Sequence, residues 1–92
     1  MFCVLIYDIE IKNEKDNGRL LKVHEICRKY LNHVEFSVFY GEITKSNLKK
    51  LINELNNVIE KDRDSIIIYL FKSREDIDSI VKLNIEEEKR VL

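Results

Sequence analysis

Two uninterrupted apolar runs frame the chain. Phe2-Cys3-Val4-Leu5-Ile6-Tyr7 ends at Asp8, and Ile66-Ile67-Ile68-Tyr69-Leu70-Phe71 follows the polar turn Asp62-Arg63-Asp64-Ser65. Six residues rich in β-formers and bounded by charge predict a strand in each case. The lack of alternation predicts burial on both faces, with 66–71 as a second central strand. Between the two runs the period changes. Leu20, Val23, Cys27, Tyr30 and Leu31 recur at helical spacing over about 16–31, with Ile26 beside them. Thr44 is placed as an N-cap, and Leu48, Leu51, Ile52, Leu55, Val58 and Ile59 then give the clearest helical stripe in the chain. Residues 33–43 are β-branched and aromatic. Val34, Phe36 and Val38 alternate until Phe39 breaks the period, and Gly41 follows, which predicts a bent strand or two short ones. The polar stretch 10–18 reads as a loop running into a helix start. Ser73 and Asp76 have capping-box spacing. Ile77, Ile80 and Val81 fit a short helix or an extended segment equally, and Ile85 with Glu86, Glu87 and Glu88 forms a charged tail.

This order predicts an α+β fold, a ferredoxin-like βαββαβ sandwich with both helices on one face of the sheet. The other face then needs a cover, and the expectation is a second copy of the chain. Residues 1–72 form the core in this reading. Residues 73–92 form a C-terminal tail or extra strand that pairs with the partner protomer's sheet edge.

Composition narrows the function classes. The 92 residues carry 16 Lys plus Arg against 17 Asp plus Glu, a net charge of -1, with 45% hydrophobic and 36% charged residues. That balance excludes intrinsic disorder, and the length excludes a two-domain enzyme. So small a core leaves little room for a deep pocket within one chain, so chemistry is expected to borrow a second copy. Cys3 and Cys27 sit in apolar runs without metal-ligand spacing and read as small buried hydrophobes. No basic leader opens the chain and no apolar run reaches the ~18 residues of a membrane span, so the expected location is cytoplasmic.

Asp8 is the residue that stands out, because it closes a buried strand at its carboxyl end, where α/β folds place ligand sites. One carboxylate is a poor Mg²⁺ site; two Asp8 side chains facing each other across a dimer axis make a better one. A turn or helix cap is the alternative role. Lys15, Arg19, Lys22 and Lys29 share a second helix face, and 12–29 holds six basic against three acidic residues. That face is either a phosphate track or simply solvated. His24 and His33 lack zinc spacing and are expected at the surface or a strand edge. No glycine-rich phosphate loop and no Gly-x-Ser-x-Gly elbow occur. Phe36, Phe39 and Tyr40 suit base stacking in an RNA-binding sheet, but without a basic-Gly-aromatic signature core packing is the expected role, as it is for Ser37.

Taken together, these segments resemble the CRISPR-associated Cas2 family. Leu5-Ile6-Tyr7-Asp8-Ile9 resembles its first-strand motif. Ser37-Val38-Phe39, followed by an acidic residue and a Thr near the next helix start, resembles its second hallmark. Arg19-Leu20-Leu21-Lys22-Val23 with Ile26-Cys27-Arg28-Lys29-Tyr30 resembles its basic first helix, and Asp64-Ser65 the approach to its fourth strand. The resemblance runs in order across 2–71. It implies a ferredoxin-like homodimer that binds nucleic acid, DNA duplex or RNA, and captures new spacers with the Cas1 integrase. It also implies a Mg²⁺-dependent (or Mn²⁺-dependent) endonuclease with Asp8 as metal ligand and catalytic residue. Arg19 and Lys22, with Lys15, are implied as phosphate contacts, and Tyr7, Ser37 and Phe39 as residues lining the site. The chain departs from the family pattern at His33 and Glu35, where Arg and Gln are usual, and at Leu31, where Gly is usual. These changes predict a weaker grip on phosphate. A VapD-type toxin-like endoribonuclease and a ferredoxin-like regulatory module are the alternatives.

Overall fold

The computed structural model describes residues 1–84. Its elements are β1 (Phe2–Asp8), α1 (Glu14–Tyr30), β2 (Asn32–Glu35), β3 (Val38–Glu42), α2 (Lys45–Asn56) and β4 (Ser65–Phe71), followed by one 3₁₀ turn over Arg74–Asp76. The four strands form one antiparallel sheet in the order β2-β3-β1-β4. This is the ferredoxin-like α+β arrangement. The bend expected within 33–43 is a two-residue turn, Phe36-Ser37, which divides that stretch into two strands.

The helices begin where their caps dictate. Asn13 accepts from the Lys15 N–H, and Asp16 reaches back to the Asn13 N–H, so a capping box starts α1. Arg28 and Lys29 complement the dipole in its last turn. The Thr44 hydroxyl accepts from the Asn47 N–H at 3.1 Å and starts α2.

The core lies between the helices and one face of the sheet. Cys3, Leu5 and Tyr7 from β1 and Phe39 from β3 meet Val23, Ile26 and Cys27 from α1 and Leu51 and Leu55 from α2. Burial pushes the Cys3 thiol up to about 11 and the Cys27 thiol up to about 12, so both behave as inert core hydrophobes.

The opposite face corrects one expectation. β4 is an edge strand, not a central one. Ile67 and Tyr69 are half-exposed, as is Ile6, which lies across the ladder from Ile67. Alternate residues of a strand face opposite sides, so Val4 and Ile6 share this open face while Leu5 and Tyr7 point to the helices. The apolar continuity of β1 and β4 supplies one core face and one apolar face that this chain's helices do not reach.

Beyond β4 the 3₁₀ turn is closed by the Ser73 N–H donating to Asp76. Residues 77–82 form neither helix nor strand, so the short-helix alternative does not hold there. The Arg74 guanidinium stands over the Phe2 ring and the Lys82 ammonium over the Tyr40 ring, at 5.9 and 5.2 Å. This segment therefore lies against the chain's own sheet. Ile85 and the acidic run at 86–88 fall outside the described residues. Among the described residues no helix is long and apolar enough to cross a membrane.

Candidate functional site

Asp8 ends β1 opposite Ser65, the first residue of β4. By strand parity it shares the open face with Val4 and Ile6. It is exposed, and its carboxylate takes no hydrogen bond or ion pair from the described residues. Neither a turn nor a helix cap uses it. Among the described residues no group of three or more His, Cys, Asp or Glu is arranged to hold a metal ion. At this end of β1 the chain thus offers one carboxylate, that of Asp8, with no partner among the described residues. Mg²⁺ accepts one or two carboxylates with water filling its remaining positions, so this donor set fits Mg²⁺ once a second carboxylate is supplied from outside the chain.

Two residues implied as lining this site lie elsewhere. Tyr7 and Phe39 are 4% and 0% exposed and belong to the helix-side core, with ring centroids 6.1 Å apart. The pleat turns Tyr7 away from Asp8 because successive residues face opposite sides. Ser37 does stand at the Asp8 end of the sheet, where its carbonyl accepts from the Tyr7 N–H at 3.1 Å.

Behind that turn sits a polar cluster around His24. The expectation of a surface or strand-edge position holds for His33, which lies on the edge strand β2, but His24 is buried. His24 is 2% exposed. Its Nδ1 lies 3.2 Å from the Tyr7 hydroxyl, its ring meets Phe39 and His33 edge-on, and its Nε2 has no partner. Burial first, and then the neighbouring His33 and Arg28, hold its pKa down to about 4. It is neutral at physiological pH. With Nε2 unpartnered, the proton belongs on Nδ1, donated to Tyr7; the Tyr7 hydroxyl, raised to about 12 chiefly by burial, donates in turn to the Phe36 carbonyl at 3.5 Å. His33 Nε2 donates to the same carbonyl at 2.9 Å.

Arg19 is likewise drawn inward. Its Nε and Nη2 donate to Asp64 Oδ2 and Oδ1 at 2.7 and 3.0 Å, its Nη1 to Asp16 at 2.7 Å, and its Nη2 also to the Glu10 carbonyl. Arg63 closes the network on Asp16, Glu10 and Glu60. The two guanidinium groups, Arg63 first, hold the Asp16 carboxyl well below the usual range. Burial works to raise the Asp64 carboxyl, but Arg19 and the N–H groups of Glu60 and Glu10 outweigh it, and the net shift is downward. Arg19 is therefore a structural tie between α1, the loop after Asp8 and the approach to β4. Lys15 and Lys22, by contrast, are exposed; they line a groove that this network also lines, with Asp16, Arg19, Glu60 and Arg63 among its walls. Sequence reading missed this network. Only the Asn13-to-Asp16 spacing signalled it, and Asp64 and Arg63 looked like ordinary turn residues.

Comparison with known proteins gives the family and the fold. The family model for CRISPR associated protein Cas2 matches residues 1–79. A CRISPR-associated endoribonuclease Cas2 of Fusobacterium nucleatum is 40% identical over 74 residues, covering 80% of this chain and 67% of that protein. One from Moorella thermoacetica is 37% identical over 83 residues, covering 90% and 85%. A crystal structure of a Cas2 protein superposes with a TM-score of 0.76 at 26% identity over 100% of this chain and 94% of that one. Streptococcus pyogenes Cas2 gives 0.72 at 24%, over 88% and 100%, and shares the fold. The protein with this free strand-end carboxylate and open sheet face belongs to the CRISPR-associated Cas2 family.

Proposed function

We propose that the chain works as a homodimer in CRISPR spacer acquisition, binding nucleic acid beside the Cas1 integrase. We further propose that the Asp8 carboxylates of two copies hold one Mg²⁺ (or Mn²⁺) for phosphodiester hydrolysis of RNA. One observation carries this reading. The sheet face that the helices do not cover carries the exposed apolar side chains Ile6, Ile67 and Tyr69 and ends at Asp8. A second copy seated on that face by two-fold symmetry brings a second Asp8 to the same rim. Relatives named endoribonucleases support the choice of RNA.

The metal, when bound, supplies Lewis-acid polarisation of the phosphate and a lowered water pKa. The chain's own part is positioning. Asp8 binds the ion. Lys15 and Lys22 take the phosphate backbone and orient it, a role that needs charge and no base recognition. A net charge of -1 makes such binding local and salt-sensitive, which suits a subunit that relies on a partner for affinity.

Asp8→Asn tests the reading. Metal-dependent cleavage of a labelled RNA should vanish while the dimer mass by light scattering stays unchanged. Persistent cleavage would sink the catalytic part. In a spacer-integration assay the same variant should retain activity, since the architectural role needs the dimer and not the metal.

A further inference from the structure

We propose that Phe36 is a stacking platform for an unpaired nucleobase, on a hydrogen-bonded turn at the Asp8 end of the sheet. The inference rests on the nucleic-acid reading above and adds a residue and a substrate form to it.

The structure separates three aromatics that the sequence left together. Phe39 is 0% exposed and Tyr40 is partly covered, whereas Phe36 is 59% exposed. Phe36 also sits where its residue type is costly. It is the first residue of a two-residue hairpin turn, with φ of 26°. Positive φ at that position ordinarily selects glycine, and a phenylalanine there stores backbone strain. A glycine would relieve the strain and remove an exposed ring in one step. The fold instead stabilises the turn around the ring. The Phe36 carbonyl accepts from His33 Nε2 and from the Tyr7 hydroxyl, and Tyr7 is fixed by the fully buried His24. The Tyr7 N–H donates to the Ser37 carbonyl of the same turn, and Asp8 is the next residue along β1.

An exposed aromatic on a braced turn, at the same end of the sheet as the proposed phosphodiester site, offers what an unpaired base needs. Every base has a π-face, so stacking is tolerant of sequence. Bases inside a duplex are already stacked on each other, so the ring discriminates for single strands and loops.

The test is fluorescence anisotropy in EDTA, which removes cleavage from the measurement. The probes are a short labelled oligoadenylate RNA and the same strand annealed to its complement. Phe36→Gly should melt at the wild-type temperature or above, keep the wild-type oligomeric mass, and bind the single strand about tenfold more weakly. Its duplex affinity should match wild type, and Phe36→Tyr should restore single-strand binding. Phe36→Asn, also tolerant of positive φ, should repeat the loss, which separates loss of the ring from any loosening of the turn by glycine. Unchanged single-strand affinity in both variants overturns the proposal, and so does a change of oligomeric mass, which would make the ring an anchor between copies. Wild-type protein that binds neither probe would overturn the nucleic-acid reading and this inference with it. Cleavage surviving in Asp8→Asn would remove only the catalytic assignment.

Discussion

Asp64 and Arg19 meet in a bidentate pair, Nε to Oδ2 at 2.7 Å and Nη2 to Oδ1 at 3.0 Å, with the Asp64 carboxylate side chain wholly covered. The same two oxygens also accept the N–H groups of Glu10 and Glu60. One side chain thus closes the loop that follows Asp8 onto the loop that leads into β4. Asp8 and Ser65 face each other across the ladder just inside those two loops. The free carboxylate is held in place by a neighbour that does not touch it.

Removing Asp64 leaves Arg19 buried without its main partner and two backbone donors unmatched. Breaking a buried pair from one side is among the costly single changes. Asp64→Ala should lower Tm by about 15 °C in a chain of this size. Asp62→Ala, at an exposed position one turn away, should move it by about 3 °C or less. Equal melting curves for the two variants would refute the tie.

Stability should fall with acid in two stages. His24 takes up its proton near 6.5 in the unfolded chain and only near about 4 in the folded one. Between those values the unfolded state binds more protons, so stability rises with pH across the window and levels off above it. Asp16 and Asp64 are depressed in the folded state. Their contribution is full above about pH 4, the unfolded carboxylate range, and is lost as pH drops below it. Chemical denaturation from pH 7.5 to pH 4 reads the first stage, with these buffer values set at roughly the plateau and the foot of the window. His24→Phe should flatten the slope there whatever it does to the plateau, and a slope that persists unchanged would assign it to other groups.

The order of elements and the capping signals were legible because they depend on local periodicity: Thr44 caps α2 and Asp8 ends β1 as the pattern requires. Two kinds of information were not. The position of β4 at the sheet edge is topological, and a run such as 66–71 looks the same whether its second face meets a helix or stays open. The buried polar groups were invisible for a different reason. Arg19, Asp16 and Asp64 lie up to 45 residues apart in the pair that joins them, and nothing in a basic helix face says that one of its arginines turns inward. Tyr7 and Phe39 fell on the wrong side of the sheet because a motif gives adjacency in sequence, while the pleat sends neighbours to opposite faces.

The inward turn of Arg19 splits the basic helix face into two roles, and salt dependence should reveal it. Lys15 and Lys22 remain exposed on the groove. Lys15→Ala and Lys22→Ala should each lower the slope of log K against log salt by about 1, with unchanged melting. Arg19→Ala should do the reverse, with a clear loss of Tm and a slope close to wild type once folded protein is selected. A slope change in Arg19→Ala as large as in the lysine variants would return Arg19 to the phosphate contacts.

The open sheet face gives the sharpest test of assembly. Ile67 is 51% exposed and lies across the ladder from Ile6, at the middle of that face. In an isolated chain a glutamate there would remain solvated and cost little. In a two-fold dimer packed through the face, each interface would receive two buried carboxylates, each with a desolvation penalty of several kcal/mol. Ile67→Glu should therefore shift the light-scattering mass from twice the 11.0 kDa chain mass to the single-chain value, with unchanged far-UV circular dichroism. Leu21→Glu, at 47% exposure on α1, makes the same chemical change on the helix side and should leave the dimer intact. If Ile67→Glu stays dimeric, the copies meet elsewhere and the two Asp8 carboxylates are not brought together by this face.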